Sequence, residues 1–232
     1  MERDEYLHLV KILDLTDRNQ ERVNAMKEVV KLNPELNIEE QQLLSSSYKK
    51  AIEKSRDALL KLPEIISETE EGKKKSILLE KQQKLSKELE GYCNELIDLI
   101  ESQLLPSAKD SKSKVFYEKL EADYYRYICE SKEKEERKSL IQKSYDHYRR
   151  ALEISSGNLP SYSPESIRLI LYYTVFLYDF MEEKENAIKL AQDTYNECSQ
   201  SFTQNSSVQS IKEAETILSF RKENITKWTK NE

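Results

Sequence analysis

The sequence contains few of the residues that interrupt helices. Its 232 residues include only 3 glycines and 5 prolines, whereas 34% are charged. A chain rich in Glu, Lys, Leu and Gln and poor in glycine and proline favours long helices. The hydrophobic share is 38%, below the ordinary value of roughly 45–50%. We therefore predict an all-α fold of amphipathic helices with wide solvated faces, arranged as an extended array.

Cysteines and long apolar runs are also scarce. The 3 cysteines, Cys93, Cys129 and Cys198, are odd in number and widely spaced, which favours reduced packing residues over disulfides. No stretch approaches the ~18 apolar residues that suggest a membrane span. The first ten residues, MERDEYLHLV, hold no apolar run typical of a signal peptide. We expect a cytoplasmic or nuclear protein with no membrane partner.

Patterns that carry catalysis or metal binding are missing from the sequence. The only 2 histidines, His8 and His147, lie far apart, and a lone helical histidine is far more often structural or exposed than catalytic. There is no glycine-rich phosphate loop, no CxxC and no HExxH. The net charge of −6 disfavours nucleic acid as a partner. We expect a protein that is not an enzyme and has no cofactor and no metal site.

Breakers and polar clusters divide the chain into nine predicted helical segments, which we assign to a single domain over residues 1–232. Apolar residues recur every three to four positions, as in Leu89, Cys93, Leu96, Ile97 and Ile100, which indicates amphipathic helices. Pro63 either kinks or ends the third segment, and SAKDSKSK, residues 107–114, is predicted to be a polar loop. Short connections imply antiparallel neighbours. The segments run approximately over residues 3–15, 19–32, from 38 towards 68, 73–105, 115–130, 139–157, 165–181, 185–202 and 208–230.

Two of these segments each carry a pair of bases on one stripe. Lys49 and Arg56 are seven residues apart, which is two helical turns, and so are Lys119 and Arg126. Asp123 lies four residues from one and three from the other, so it can hold both side chains in fixed rotamers. If the two stripes face each other, they form a pocket for a dianion.

The chemistry of such a pocket suits a phosphorylated side chain. Arginine offers a planar fork for phosphate oxygens, lysine adds a mobile point charge, and Tyr127 adds a hydroxyl beside Arg126. A phosphoserine carries about −1.5 to −2 charges near neutral pH, which the cluster would neutralise. The alternative is that these are ordinary bases on solvated helices, paired with nearby acids. The density of tyrosines around Arg126 favours a partly buried and functional arginine.

The segments VFYEKLEADYYRY and SYKKAIEKSRDA resemble the 14-3-3 proteins, and the likeness extends over almost the whole chain. EGYCNELIDLIESQLLPSA, YRRALEIS, YTVFLYDF and ENITKW are similar to segments of that family at the corresponding places. The resemblance implies nine antiparallel helices, a cup-shaped homodimer and a groove for phosphoserine or phosphothreonine peptides. It implies an adaptor whose partners are phosphorylated client proteins and a second copy, or a related chain, as dimer partner.

The resemblance also assigns residues to sites. It implies dimerisation through roughly residues 1–70 and a ligand groove within roughly residues 38–230. The phosphate would meet Lys49, Arg56, Arg126 and Tyr127. The peptide groove would include Lys119, Leu171, Tyr172, Val175, Asp179, Ile217, Phe220, Asn224 and Trp228. The dimer interface would include Ile12, Arg18, Glu21, Ala58, Leu62, Ile65, Lys81, Lys84 and Glu88.

Several positions depart from the pattern of the family. Tyr172 stands where the family has an asparagine that holds the ligand backbone, Lys227 replaces a wall leucine, and Lys81 replaces an interface tyrosine. We therefore expect an altered peptide preference, and we expect the family's C-terminal tail to be absent or very short. A tetratricopeptide-like scaffold for unphosphorylated peptides is the alternative, since SYDHYRRALEIS resembles such a repeat, but no 34-residue period is sustained.

Overall fold

The computed structural model of the protein describes residues 1–132 and 134–201, and it describes side chains up to residue 197. Within these ranges the secondary structure is helical and contains no strand, so the predicted all-α class is confirmed. Two compact units are present: Met1–Ala108 with Tyr124–Leu140, and Lys109–Asp123 with Ile141–Glu232. The predicted single domain stays a prediction. The ninth predicted helix, residues 208–230, lies outside the described residues.

The first unit is built mainly from the N-terminal helices, in which each helix packs against the next along the chain. Apolar residues at helical spacing explain this packing: Val23, Met26 and Val30 of the second helix are fully buried. The fourth helix passes into a π-helical turn and a last short helix. The elements are α1 (Arg3–Leu13), α2 (Asn19–Leu32), α3 (Ile38–Glu68), α4 (Lys73–Leu99), the π-helical turn Ile100–Leu104 and α5 (Leu105–Ser107).

The second unit contains the remaining described helices, two of which it shares with the first. The helices are α6 (Ser111–Glu130), α7 (Lys134–Asn158), α8 (Pro164–Asp179) and α9 (Lys184–Ser201). The last turns of α6, from Tyr124, and the first turns of α7 belong to the first unit. Within the second unit, α8 packs against α9. A core of buried residues, among them Ala122, Tyr148 and Phe176, lies between α6, α7 and α8.

Helix boundaries differ from the prediction in several places, and α7 begins at Lys134, five residues before the predicted start. The predicted loop SAKDSKSK is wrong in its second half, because α6 begins at Ser111. The Asp110 carboxylate accepts hydrogen bonds from the Ser113 backbone N–H at 2.9 Å and the Ser113 hydroxyl at 2.7 Å, which caps the helix start. α1 ends at Leu13, two residues early, whereas α3 continues through Pro63 to Glu68.

Caps fix the start of α3, the helix that carries Lys49 and Arg56. The Asn37 side chain accepts from the Glu40 N–H at 3.0 Å, and the Glu40 carboxylate accepts from the Asn37 N–H at 2.9 Å. This reciprocal pair is a capping box. Arg3 adds a bidentate pair to Glu40, with distances of 2.6 and 2.9 Å. The start of α1 is thereby tied to the start of α3.

The connection from α3 to α4 depends on Gly72. This residue precedes α4 with φ 140° and ψ −164°, a conformation that side-chain-bearing residues rarely adopt. A glycine at this position allows the chain to reverse between two long helices that pack against each other.

Candidate functional site

Helix α3 presents two of the predicted bases in the first unit. Lys49 is exposed and has no ion-pair partner among the described residues. Arg56, two turns further on, has a side chain that is 31% exposed. Burial lowers the pKa of Arg56, but its hydrogen bonds to Glu130 outweigh burial and raise the pKa above the ordinary arginine value. The guanidinium is therefore permanently charged.

The end of α6 adds Arg126, Tyr127 and Glu130 to the same unit. Arg126 has only 6% of its side chain exposed, and Glu130 has 12% exposed. Arg56 donates from Nε to Glu130 Oε2 at 2.5 Å and from Nη2 to Oε1 at 3.0 Å. Arg126 donates from Nη1 to Glu130 Oε1 at 3.0 Å. One carboxylate thus holds two guanidinium groups from two helices.

The ring of Tyr127 contacts both arginines. The Arg56 Cζ lies 4.7 Å from the ring centroid, and the Arg126 Cζ lies 4.6 Å from it. Both distances fall within the range of cation–π attraction. Tyr127 in turn packs edge-on against the buried Tyr124, at a centroid distance of 5.3 Å. The tyrosines of this segment therefore hold the guanidinium groups in place as well as adding a hydroxyl.

The direction of the Arg56–Glu130 pair determines what else the arginine can bind. Glu130 takes the Nε and Nη2 edge of the planar group. A guanidinium carries five N–H donors, so the edge that includes Nη1 is not used by this pair. We call Lys49, Arg56, Arg126, Tyr127 and Glu130 the arginine cluster. Glu130 and the ring of Tyr127 each contact both guanidinium groups, and Lys49 is an exposed cation two turns before Arg56 on α3.

Glu130 is the member of the arginine cluster that the sequence reasoning missed. We expected Asp123 to hold both Lys119 and Arg126; Lys119 pairs with Asp123, and Arg126 has an ion pair with Glu130 that we did not expect. The signal was available, because Glu130 lies four residues after Arg126 on the same helix. The pairing of Glu130 with Arg56 was not available, because it depends on how α3 and α6 approach each other.

Asp123 takes part in a network within the second unit. Lys119 Nζ donates to Asp123 Oδ2 at 2.6 Å, which is the predicted i, i+4 pair. The Tyr148 hydroxyl donates to Asp123 Oδ1 at 2.5 Å. The Lys119 ammonium also lies 4.0 Å from the centroid of the Tyr172 ring. We call Lys119, Asp123, Tyr148 and Tyr172 the lysine cluster.

The predicted groove residues of α8 share one face of that helix. Leu171, Tyr172 and Val175 are half-buried, and Asp179 at the end of α8 is exposed. Val175 packs against Ile188 and Ala191 of α9. Four further predicted groove residues, Ile217, Phe220, Asn224 and Trp228, lie outside the described residues.

The predicted dimer residues mostly have exposed side chains in the first unit. Ile12 and Ile65 are 48% and 47% exposed, which is high for isoleucine in a single chain. Arg18 and Glu21 pair with each other at 2.6 Å. Leu62 is 8% exposed, so it packs within the chain and leaves little surface for a partner. Of the remaining predicted interface residues, Ala58 is half-buried, and three are exposed: Lys81, Lys84 and Glu88.

His147 belongs to a buried ionic cluster in the second unit. Its Nδ1 lies 2.8 Å from Glu118 Oε2 and 3.3 Å from Glu121 Oε2. Burial lowers the pKa of His147, but hydrogen bonds with the two carboxylates outweigh burial and raise the pKa to about 9. The imidazole is therefore protonated at neutral pH, so it acts as a cation between two acids. We call these three residues the histidine cluster.

The described helices define an all-α protein in which two arginines of the first unit share one carboxylate. Comparison with known proteins gives the family. The family model described as 14-3-3 protein matches residues 9–229. The chain is 33% identical to the 14-3-3-like protein GF14 iota of Arabidopsis thaliana, over 98% of this chain and 86% of that protein.

Relatives from distant organisms agree with that match. The chain is 34% identical to 14-3-3 protein 3 of Entamoeba histolytica, over 98% of this chain and 95% of that protein. It is 32% identical to the checkpoint signal transducer rad24 of Schizosaccharomyces pombe, over 98% and 85% of the two chains. The chain belongs to the 14-3-3 family.

Membership supports a general role as a phosphopeptide-binding adaptor that regulates client proteins, and members of the family are adaptors and not enzymes. Among the described helices, none is both long and apolar enough to cross a membrane.

Proposed function

We propose that this protein binds phosphoserine and phosphothreonine segments of client proteins through the arginine cluster. The single observation that carries the proposal is that α3 and α6 bring Arg56 and Arg126 to one carboxylate and one aromatic ring in the first unit. Lys49, exposed on the same helix as Arg56, supplies a third cation. Glu130 and Tyr127 hold the two guanidinium groups in position before a ligand binds.

The charge of the arginine cluster suits a phosphate monoester. Lys49, Arg56 and Arg126 contribute three positive charges, and Glu130 contributes one negative charge. A phosphate carries about −1.5 to −2 charges at pH 7, so its charge offsets the remaining excess. Its three oxygens can accept from several N–H donors at once, whereas an unphosphorylated serine offers one hydroxyl. Phosphorylation therefore acts as the switch for binding.

The peptide on either side of the phosphate would lie along the predicted groove residues. Among the described ones, Leu171, Tyr172 and Val175 offer half-buried carbon surface, and the Lys119 ammonium lies 4.0 Å from the centroid of the Tyr172 ring. This combination is amphipathic, with polar capture of the phosphate and apolar contact for flanking side chains.

Pairing of two chains is part of the same proposal. The exposed Ile12 and Ile65 would gain burial in an interface, and the exposed Lys81 and Lys84 could meet acidic residues such as Glu21 of a second copy. A dimer would present two arginine clusters and so bind doubly phosphorylated clients more tightly through linked sites.

A matched pair of peptides tests the proposal. In fluorescence polarisation, a phosphoserine peptide should bind and its unphosphorylated twin should not, with the mass in solution measured alongside. Lys49→Glu should abolish binding while helical circular dichroism stays unchanged. Lys54→Glu is the control, because Lys54 lies on the same helix, is 75% exposed and pairs with Asp17. Equal affinity for both peptides would favour a scaffold for unphosphorylated segments.

A further inference from the structure

Leu60 is an exposed apolar residue on α3, the helix that also carries Lys49 and Arg56 in the first unit. Its surface is 55% exposed, although leucine is normally among the buried residues. Leu60 follows Arg56 by four residues and Lys49 by eleven, which is just over three helical turns. Residues at these spacings share one face of a helix. Leu60 therefore extends the stripe of the two bases with a carbon surface.

The predicted dimer interface does not account for the exposure of Leu60. The predicted interface residues of the same helix are Ala58, Leu62 and Ile65. They lie two or five positions from Leu60, and an α-helix turns by about 100° per residue. All three therefore fall on roughly the opposite side of α3. A second copy bound through those residues would leave Leu60 uncovered.

Two carboxylates lie beside Leu60 on the surface of α3. Asp57 precedes it by three residues and Glu64 follows it by four, so both are its neighbours on the helix. Both acids are exposed, and neither takes part in an ion pair with another described residue. An acidic side chain of a ligand would meet like charge here, whereas an apolar side chain would bury the carbon surface of Leu60.

The distance along α3 suits a ligand residue close to the phosphorylated one. A helix rises 1.5 Å per residue, so Leu60 lies about 6 Å beyond Arg56 along the axis. An extended peptide advances about 3.3 Å per residue. A peptide whose phosphate is held at Arg56 and which follows α3 would therefore bring the second residue from its phosphorylated residue to Leu60, on one side only.

We propose that Leu60 is a specificity-determining residue, which contacts an apolar side chain about two residues from the phosphorylated one. Asp57 and Glu64 exclude an acidic side chain from the same place. This inference rests on the proposed function. The arginine cluster decides whether a peptide binds at all, and Leu60 decides among phosphopeptides.

A positional peptide set tests the inference. Each peptide carries one phosphoserine and places Leu, Asn or Glu at one flanking position, before or after it. Asn has the same branched shape as Leu but is polar, so the ratio of the two dissociation constants measures the apolar contact. In fluorescence polarisation, the wild type should bind the Leu peptide about fivefold more tightly than the Asn peptide at the position that meets Leu60.

Substitutions of Leu60 should change that ratio on one side of the phosphoserine only. Leu60→Ala should abolish most of the preference, because it removes carbon surface while retaining a good helix former. Leu60→Met, which retains the apolar volume, should restore the preference. Ile38→Ala is the control, because Ile38 lies on the same helix and is 61% exposed. Helical circular dichroism should be the same in all three variants.

The exclusion of acidic side chains has its own variants. At the same position, the wild type should bind the Glu peptide about tenfold more weakly than the Leu peptide. Combining Asp57→Asn with Glu64→Gln should narrow that difference and leave the ratio of Leu to Asn unchanged. Glu68→Gln is the control, because Glu68 is an exposed acid of α3 that lies more than two turns beyond Leu60. An unchanged difference in the double variant would overturn the role of the two acids.

Photochemical crosslinking locates the contact directly. A phosphoserine peptide with photoleucine at the selected position should crosslink to the segment around Leu60, as mapped by mass spectrometry. An excess of the same peptide without photoleucine should abolish the crosslink. A crosslink confined to segments other than α3 would overturn the inference.

The outcomes separate the inference from the proposed function. A wild type that binds phosphopeptides, together with a Leu60→Ala variant of unchanged ratio, overturns the inference alone. A wild type that binds none of the phosphopeptides overturns both. An equal loss of affinity for every peptide in Leu60→Ala would show a structural role and also overturn the inference. A lost ratio in Leu60→Ala that is retained in Leu60→Met and Ile38→Ala supports it.

Discussion

The arginine cluster and the histidine cluster have opposite arrangements of charge. In the arginine cluster one carboxylate, Glu130, lies between two guanidinium groups. In the histidine cluster one imidazole, His147, lies between two carboxylates. The central group in each case joins two like charges that would otherwise repel each other.

The difference teaches which of the two clusters can bind an anion. A guanidinium has donors on two edges, so Arg56 can pair with Glu130 and still offer a second edge. A carboxylate has only acceptors, so Glu118 and Glu121 have nothing to donate to a phosphate. A central acid therefore leaves N–H donors for the anion that we propose, whereas the central base of the histidine cluster stabilises the fold only while it is protonated.

The largest effect should come from removing a guanidinium from the arginine cluster. Arg126→Ala deletes charge-assisted donors that are worth roughly 1.5–3 kcal/mol each. We expect phosphopeptide affinity to fall by about 100-fold or more, as measured by fluorescence polarisation. Helical circular dichroism should stay close to that of the wild type. An unchanged affinity would remove Arg126 from the site.

The next effect should come from the central acid. Glu130→Gln adds net positive charge to the arginine cluster, so simple attraction predicts tighter binding. We expect the opposite, a loss of phosphopeptide affinity of about tenfold, because the guanidinium groups of Arg56 and Arg126 lose the carboxylate that positions them. Glu90→Gln is the control, since Glu90 pairs with Lys132 at 2.8 Å and has no ion pair with an arginine among the described residues. Tighter binding by Glu130→Gln alone would show that net charge outweighs positioning.

Replacing His147, the central base of the histidine cluster, should have the smallest effect on phosphopeptide binding but a clear effect on stability. Because folding raises the pKa of His147 to about 9, its stabilisation is complete below the unfolded pKa of about 6.5 and is lost as pH rises through 9. The melting temperature of the wild type should fall between pH 8 and pH 10.

His147→Gln should start from a lower melting temperature and change less over that interval. His8→Gln, which removes the only other histidine, should follow the wild type. Identical pH profiles for His147→Gln and the wild type would contradict the role of the histidine cluster. Phosphopeptide affinity at pH 7 should change less than twofold in either variant.

Much of the fold could be predicted because helical periodicity is local. The spacing of Leu89, Cys93 and Leu96 shows the buried face of α4 without any knowledge of what covers it. The start of α6 was missed because its first residues are polar, which is typical of a loop, whereas capping by the single residue Asp110 stabilises them as a helix. Pro63 left two outcomes open, and α3 continues through it.

The candidate site could be predicted only where its members share a helix. The spacing of Lys49 with Arg56, and of Lys119 with Asp123, is a property of one helix. The contact of Lys119 with Tyr172 joins residues 53 positions apart, and that of Arg56 with Glu130 joins residues 74 positions apart. Such pairs depend on how helices pack, which a single sequence does not encode in its spacing.

The torsion of Gly72 has a practical consequence for mutational scanning. A Cβ atom added there would meet nothing within 4 Å, so a survey by crowding would score Gly72→Ala as harmless. The obstacle lies in the main chain, because φ 140° is reserved for residues without a side chain. Whether position 72, between α3 and α4, accepts another residue is therefore decided by its backbone conformation, even though the space around it is empty.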